Sequence, residues 1–308
     1  MKLIRYQTPK GPKLGFLDGN TVVVAPATAE FSDTVAFIRS GRKGRTLAAK
    51  LLKNRRAKRL PLARVKLLAP LLPSTILCSG SNYTDHNAEK SNTPISGKEP
   101  EFFVKTADCV VGPGEAIVHD ERLSRKIDCE TELAVVIGKA GRYIPEAKAL
   151  EHVFGYTVVN DVTARDRQVR QKDGVTWYEL GRGKAFDTSA PLGPCIVTAD
   201  EIGDPQNLAL KTRINGEPRQ SSHTGRMIWS CAQLIHFFST NFTLKPGMVI
   251  ITGTPSGTAW SVDKELGGKF TAQPGLVPAT RYCLPGDVIE SEIERIGVLR
   301  NPIKAYAG

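Results

Sequence analysis

Apolar residues in this 308-residue chain come in short runs separated by glycine and proline, which is the pattern of a strand-rich protein. From residue 75 onward the clearest runs are 76–79, 102–104, 133–137, 156–160, 195–197, 210–214, 249–252 and 288–292. Their density predicts a β-rich domain of sandwich or barrel-like form. One long helix interrupts the strands, because apolar residues follow a 3.6-residue period at Met227, Ile228, Cys231, Leu234, Ile235 and Phe238.

The first 70 residues have a pattern of their own. Strand patterns occur at 3–6, 14–18 and 21–25, and helical patterns follow at 34–39 and 46–55. Prolines at positions 61, 70 and 73 then break the chain. We therefore predict an α+β protein, with a small N-terminal domain over residues 1–70 and a larger, strand-rich catalytic domain over residues 71–308.

The net charge of +11 is concentrated in one segment. Twelve of the 42 lysines and arginines lie between residues 39 and 66 with no acid among them. The charge of the other 30 is balanced by the 31 acidic residues of the chain. Such a run can attract nucleic acid or an acidic partner. It has no aromatic residues for base stacking, and Leu47, Leu51 and Leu52 give it an apolar stripe. We interpret it as the solvated face of a helix and keep nucleic-acid binding as a remote alternative.

Signals for a membrane or for export are missing from the sequence. No run of about 18 apolar residues occurs, so we expect no membrane span. The first residues turn polar too early for a secretory signal. The six cysteines are scattered without a C-x-x-C pair, and several lie in apolar runs, as buried cysteines do in a reducing compartment. These features predict a cytoplasmic protein.

Three carboxylates lie at the ends of two apolar runs. Glu130 and Glu132 are two residues apart in a predicted strand, so their side chains share a face, and Asp161 follows the run 156–160. Like charges held together raise each other's pKa unless a cation lies between them. Carboxylate oxygen donors favour Mg²⁺ or Mn²⁺ over zinc. We predict that the three acids bind such an ion, although each acid alone is typical of a solvated strand residue.

His86 and Glu89 are three residues apart in a short predicted helix that Asp85 or Thr84 can cap. A carboxylate beside a histidine orients the ring and raises its basicity, which suits a general base that activates water. Residues 90–100 are rich in small and polar residues, and we expect a mobile lid there. A surface pair is the alternative explanation for the two side chains.

Lys184 and the turn 253–257 are further candidates for ligand binding. Lys184 lies among glycines and before Phe186, where it can reach a metal-bound or enolate oxygen or remain a solvated loop residue. The turn Gly-Thr-Pro-Ser-Gly follows the run 249–252, and its backbone N–H groups can hold a carboxylate. It is not a phosphate-binding P-loop, because the Lys-Ser/Thr end is missing.

From about residue 76 to the C-terminus the chain resembles the fumarylacetoacetate hydrolase superfamily. The resemblance rests on motifs in the family order: Asn82-Tyr83-x-x-His86-x-x-Glu89, Asp128-x-Glu130-x-Glu132-Leu133, Asn160-Asp161-x-x-Ala164-Arg165-Asp166-x-Gln168, Lys184-x-Phe186-Asp187, Thr252-Gly253-Thr254-Pro255-x-Gly257 and Pro285-Gly286-Asp287-Val288. It implies the family's mixed β-roll fold, a small N-terminal domain and a homodimer.

The resemblance also implies roles for individual residues. Glu130, Glu132 and Asp161 match ligands of Mg²⁺ or Mn²⁺, and His86 and Glu89 match a catalytic dyad on the lid. Lys184 matches a catalytic residue that contacts the substrate and the oxyanion. On the substrate-binding side of the site, the matching residues are Gln168, Arg165 and Thr254. Of these, Arg165 also supports the metal-binding strand.

With these parts we expect a metal-dependent hydrolase that cleaves a C–C bond in a 2,4-dioxo acid of the acylpyruvate or fumarylpyruvate type, a small-molecule 2-oxo carboxylate. An isomerase, a decarboxylase or a hydratase/dehydratase acting on a related 2-oxo acid needs the same metal site, so the sequence leaves these reactions open. The presence of both His86 and Glu89 favours hydrolysis, because water must then be activated.

Overall fold

A computed structural model describes residues 1–90 and 97–308. Strands dominate it, and the largest sheet within these residues has twelve of them. The strands are β1 (Lys2–Thr8), β2 (Gly11–Asp18), β3 (Thr21–Val24), β4 (Arg59–Pro61), β5 (Leu67–Leu68), β6 (Ile76–Gly80), β7 (Glu101–Lys105), β8 (Val110–Val111), β9 (Ile117–His119), β10 (Ile127–Asp128), β11 (Thr131–Ile137), β12 (Val153–Asn160), β13 (Thr163–Ala164), β14 (Val169–Lys172), β15 (Val175–Tyr178), β16 (Ala190–Thr198), β17 (Ala209–Ile214), β18 (Glu217–His223), β19 (Val249–Ile251), β20 (Val288–Ile293) and β21 (Gly297–Ala305).

The large sheet is mixed and open. Its order is β4-β3-β2-β1-β16-β12-β11-β19-β6-β7, with β5 added beside β1 and β8 beside β16. Most neighbours are antiparallel, whereas β19 pairs with β6 in parallel. A second sheet has the order β18-β17-β20-β21-β9, and two small ladders join β10 to β13 and β14 to β15. The predicted β-rich α+β class is confirmed, and the sheets do not close into a barrel.

The helices are short. They are α1 (Thr34–Arg39), α2 (Gly41–Lys53), α3 (Thr84–Ala88), α4 (Arg165–Gln168), α5 (Leu180–Lys184), α6 (Ala199–Ile202) and α7 (Cys231–Asn241), together with 3₁₀ turns at Ala29–Phe31, Leu62–Arg64, Ala107–Cys109, Glu146–His152, Thr224–Arg226 and Ala259–Val262. Helix α7 begins later than predicted, because Ser230 and Gln233 form a capping box that leaves Met227 and Ile228 outside it. No helix in the described part of the chain is long and apolar enough to span a bilayer.

The central strand β11 is buried on both faces, and its residues alternate between two apolar clusters. Leu133, Val135 and Ile137 pack in the cluster that includes α7, and the even-numbered Ala134 and Val136 pack in the cluster that includes α1. This period of two continues toward the start of the strand. Glu132 therefore lies on the same face of the strand as Ala134 and Val136, which is the face that the period of two assigns to both glutamates.

The first 70 residues extend the same sheet. Strand β1 pairs with β16 at Lys2↔Val197, and Ile4 and Tyr6 belong to the apolar cluster that contains Leu133. The N-terminal strands thus share a sheet and a core with the strands that carry the candidate site. The boundary at residue 70 stays a prediction.

Helix α2 carries part of the basic segment and is amphipathic, as predicted. Leu47, Leu51 and Leu52 pack against the apolar cluster under the sheet. Of the twelve basic side chains between residues 39 and 66, all but Arg59 are exposed. The expected solvated helix face is confirmed. The six cysteines are all buried and free, as expected for small apolar side chains.

Candidate active site

Three carboxylates meet where β11 begins and β12 ends. Antiparallel pairing puts Thr131 opposite Asn160, so Glu130 and Asp161, each one residue outside its strand, lie side by side. The Asp161 N–H donates to the Glu130 carbonyl at 2.8 Å. One carboxylate oxygen from each of Glu130, Glu132 and Asp161 lies within 4.8 Å of the others, and all three residues are at most 3% exposed. The trio that the sequence predicted is brought together.

The electrostatics of the trio fit a cation. Burial, together with the negative charges of Asp161 and Glu130, raises the pKa of Glu132 well above its usual range. Burial also opposes ionisation of Glu130, but Arg165 and Lys184 beside it hold its pKa well below the usual range. All three carboxylates are buried, and the neighbouring cations do not offset the burial of Glu132 as they do that of Glu130. Such a set of oxygen donors suits Mg²⁺ or Mn²⁺. The trio can therefore hold a divalent metal ion.

Lys184 and Lys105 approach the trio from two different elements. Lys184, the last residue of α5, places its ammonium against Glu130 and 2.7 Å from Asp161 Oδ2. Lys105, at the end of β7, lies 2.9 Å from Asp161 Oδ1 and also donates to the carbonyls of Ser189 and Val162. Lys184 is thus part of the site, as the sequence predicted. Lys105 was not predicted, because no local pattern shows that β7 ends beside Asp161.

Arg165 joins the trio to the rest of the site. This fully buried first residue of α4 donates to Asp128 Oδ2 at 2.8 Å and to Glu130 Oε1 at 2.5 Å. It also donates to Gln168 Oε1 at 3.0 Å. The guanidinium therefore fixes one metal-ligand candidate and one substrate-binding candidate at the same time. In the sequence Asp128 only begins a motif, and the structure shows that it is a partner of Arg165.

His86 and Glu89 form a buried dyad. His86 Nδ1 lies 2.8 Å from Glu89 Oε2, and each residue is 4% exposed. His86 Nε2 faces the trio, 3.9 Å from Glu130 Oε1. Burial and the nearby ammonium of Lys90 lower the pKa of His86 well below its usual range, and burial raises the pKa of Glu89 to about 8. His86 is therefore neutral at neutral pH and presents a ring nitrogen to the acids.

The expected cap of the dyad's helix is wrong. Tyr83 occupies the N-cap of α3, without a side-chain cap, and Thr84 and Asp85 lie inside the first turn. Asp85 instead accepts from the His86 N–H at 2.9 Å and from Ser256 Oγ at 3.0 Å. Most of the segment expected to be a mobile lid, residues 91–96, lies outside the described residues.

The turn after β19 ties the dyad to the trio. Gly253 and Gly257 have φ angles of +88° and +106°, which favour glycine. The Gly253 N–H donates to Glu132 Oε2 at 2.7 Å, and the Gly257 N–H donates to Glu89 Oε1 at 2.6 Å. The backbone amides of this turn thus hold carboxylates, as the sequence suggested, but the carboxylates belong to the chain itself. The Thr254 hydroxyl donates to the Thr131 carbonyl at 3.0 Å.

The segment 259–282, whose length and Trp260 suggested that it lines the pocket, contributes an aromatic wall to it. Trp260 is 1% exposed, and its ring centroid lies 5.0 Å from Arg165 Cζ and 5.2 Å from Lys90 Nζ. Asp128 accepts from the Trp260 N–H at 3.2 Å and so holds the wall in place. The pocket is narrow, about 30 Å³. Its lining includes His86, Glu130, Glu132, Asp161, Arg165, Gln168, Lys184, Thr254, Lys90 and Trp260.

Comparisons with known protein families agree with this site. Residues 75–304 match the family described as fumarylacetoacetate (FAA) hydrolase C-terminal, and residues 1–70 match one described as Rv2993c-like, N-terminal. The chain belongs to the fumarylacetoacetate hydrolase family, as its motifs predicted. It is therefore related to enzymes that act on 2-oxo acids.

Individual relatives differ in the reaction that they are named for. The chain is 39% identical to oxaloacetate tautomerase FAHD2A, mitochondrial, from Bos taurus, over 98% of this chain and 91% of that protein. Among solved structures, a fumarylacetoacetate hydrolase from Exiguobacterium antarcticum is 34% identical with a TM-score of 0.79 and covers 99% of this chain and 100% of its own. Maleylpyruvate hydrolase from Sphingobium sp. SYK-6, in complex with manganese(II) and pyruvate, is 27% identical with a TM-score of 0.76 over 99% of both chains.

Proposed function

We propose that this protein is a divalent-metal-dependent tautomerase that interconverts the enol and keto forms of a short 2-oxo dicarboxylate of the oxaloacetate type. The observation that carries the proposal is the position of His86, a buried neutral base whose Nε2 faces the acidic trio. The resemblance to an oxaloacetate tautomerase over nearly the whole chain supports it.

Glu130, Glu132 and Asp161 are the proposed ligands of Mg²⁺ or Mn²⁺, because they are the converging oxygen donors of the pocket. When bound, the ion supplies Lewis-acid stabilisation of negative charge on the 2-oxo oxygen. Lys184 places a second positive charge beside the same acids and stabilises that oxygen as it gains charge. Arg165 holds Glu130 and Gln168 in place, and Gln168 and Thr254 line the substrate side of the pocket.

The proton transfer is assigned to His86. In the keto-to-enol direction its Nε2 takes a proton from C3, the C3–H electron pair forms the C2–C3 double bond, and the C2–O π pair moves onto the 2-oxo oxygen, which then takes a proton from solvent. The reverse direction returns the proton from His86 to C3. Glu89 orients the ring through the 2.8 Å contact at Nδ1.

Hydrolysis of a 2,4-dioxo acid is the second candidate. The same neutral His86 can deprotonate a water molecule, which then attacks the carbonyl distant from the carboxylate and releases the 2-oxo acid part as an enolate. The structural likeness to maleylpyruvate hydrolase in complex with manganese(II) and pyruvate favours this reading. Tautomerisation and hydrolysis differ in whether a C–C bond breaks, so one set of assays separates them.

The test measures both reactions on the same purified protein. Decay of enol-oxaloacetate is followed by its ultraviolet absorbance, and cleavage of acetylpyruvate and fumarylpyruvate by release of pyruvate, each with Mg²⁺, with Mn²⁺ and with EDTA. The proposal expects metal-dependent acceleration of enol decay without C–C cleavage. Metal-dependent cleavage of a dioxo acid without faster enol decay makes the protein a hydrolase and overturns the proposal.

A further inference from the structure

Lys90 is a cation of the pocket that the proposed chemistry does not use. It follows Glu89 directly at the end of the dyad helix, and its ammonium lies 3.2 Å from Ser81 Oγ. The same Nζ lies 5.2 Å from the centroid of the Trp260 ring, and Lys90 lines the pocket together with the acidic trio. Its position gives the pocket a positive charge near the dyad.

Lys90 differs from the other cations of the site in its partners. Lys184, Arg165 and Lys105 each lie within 3 Å of at least one carboxylate oxygen. Across residues 1–90 and 97–308, by contrast, the ion pairs within 4.0 Å include none made by Lys90. Burial and then the charge of Arg165 lower the pKa of Lys90 to about 8. At neutral pH this is still mostly an ammonium ion, which can neutralise an anionic group of a ligand.

The segment 259–282 holds Lys90 in this position. Lys90 and Gly268 form an isolated antiparallel bridge, and the Lys269 N–H donates to the Glu89 carbonyl at 2.7 Å. Trp260 is fixed from the other side by hydrogen bonds from its backbone N–H to Asp128 and from Nε1 to the Leu266 carbonyl at 3.0 Å. An ammonium beside a buried ring, away from bulk water, binds an anion more strongly than a solvated lysine does.

We propose that Lys90 is a specificity-determining residue that binds the distal carboxylate of a short 2-oxo dicarboxylate, with Trp260 shielding this contact from water. In this proposal the oxalyl end of the ligand lies at the acidic trio, and this placement rests on the proposed function. The pocket therefore selects dicarboxylates over 2-oxo monocarboxylates. The competing explanation is that Lys90 serves the fold by compensating the negative charges of Glu130 and Glu101, which only partly oppose the lowering of its pKa.

The test uses two probes that differ only in the distal carboxylate, N-oxalylglycine and N-methyloxamate. Each is titrated calorimetrically into the Mg²⁺-loaded protein. A charge-assisted hydrogen bond corresponds to about 10- to 100-fold in affinity, and we expect the wild-type protein to prefer N-oxalylglycine by that factor. Lys90→Met should remove the preference by weakening N-oxalylglycine alone. The matched control Lys264→Met removes an exposed lysine of the same segment and should keep the preference.

Lys90→Arg keeps the charge and should retain most of the preference, which provides a second reading if Lys90→Met folds poorly. Equal binding of both probes by the wild-type protein, or an unchanged preference in folded Lys90→Met, overturns the proposal and leaves Lys90 with a structural role. Failure of the wild-type protein to bind either probe overturns the placement of the oxalyl end and this proposal with it. Because the titration needs no turnover, an intact preference without tautomerase activity supports the Lys90 assignment and rejects the proposed reaction.

Discussion

His86 Nδ1 and Glu89 Oε2 lie 2.8 Å apart, and neither residue is more than 4% exposed. Burial lowers the pKa of the imidazole and raises that of the carboxyl group, so both groups are driven toward their neutral forms. The backbone N–H of Gly257 and the hydroxyl of Thr258 also donate to Glu89. The dyad is therefore a buried pair and not a surface ion pair, which supports the proton relay that we propose.

Replacing His86 tests the relay. In His86→Asn the proton acceptor is lost while the acidic trio stays intact, so turnover should fall by about 10² to 10⁴. Mn²⁺ affinity, measured by isothermal titration, should stay close to that of the wild-type protein. A variant that turns over at the wild-type rate would show that the base is another group.

Glu89 predicts a pH dependence of stability in the metal-free protein. Its pKa is raised to about 8 in the folded state, against 4.5 in the unfolded chain, so between these values only the folded state holds the proton. Its stabilising contribution is complete below pH 4.5 and is lost as the pH rises toward 8, by about 1.4 kcal/mol per pH unit at most. Above pH 6.5 the unfolded-state titration of His86 no longer opposes this slope.

The measurement is urea unfolding between pH 6.5 and 8 in the presence of EDTA. Glu89→Gln should show a smaller loss of stability with rising pH than the wild-type protein. Some slope should remain, because the raised pKa of Glu132 acts in the same direction. The control Glu121→Gln alters an exposed carboxylate and should keep the wild-type slope. An equal slope in Glu89→Gln and wild type would mean that Glu89 is ionised in the folded protein.

Glu132 is expected to be essential for metal binding. Its carboxylate is buried beside Glu130 and Asp161, and the Gly253 N–H fixes its orientation. Because even loss of a residue behind a metal ligand costs 10- to 100-fold in affinity, Glu132→Gln should weaken Mn²⁺ binding by at least about 100-fold. Isothermal titration with Mn²⁺ measures this directly, with Glu121→Gln as the unaffected control. Wild-type affinity in Glu132→Gln would place the metal elsewhere.

Arg165 is expected to stabilise the fold as well as the site. Replacing it with methionine leaves the buried carboxylates of Asp128 and Glu130 without their guanidinium partner. Breaking a buried pair in this way costs about 3–5 kcal/mol, so Arg165→Met should unfold at a lower urea concentration. Arg170→Met removes a half-exposed arginine five residues away and should change the free energy of unfolding by less than about 0.5 kcal/mol. Similar stability of the two variants would contradict the role given to Arg165.

The sequence predicted those parts of the site that depend on local spacing. The period of two along β11 placed Glu130 and Glu132 together, and three-residue spacing placed His86 beside Glu89. The start of α7 was misplaced because Met227 and Ile228 continue the apolar period beyond the capping box at Ser230. The β-rich class followed from the short apolar runs, whereas the open form of the sheet did not.

Other parts depend on contacts between distant segments, which spacing cannot show. Lys105 reaches Asp161 across 56 positions of sequence, and Trp260 reaches Lys90 across 170. The turn amides were expected to hold a substrate carboxylate, but tertiary packing brings Glu132 and Glu89 to them first. The homodimer and the cytoplasmic location stay predictions.

The most direct test of the central claim is the decay of enol-oxaloacetate in the presence of Mn²⁺, compared for the wild-type protein, His86→Asn and Glu132→Gln. The account predicts fast decay with the wild-type protein, near-background decay with both variants and loss of the wild-type rate in EDTA. Equal rates for all three proteins, or a wild-type rate that EDTA does not change, would contradict a reaction that depends on His86 and on a metal held by the acidic trio.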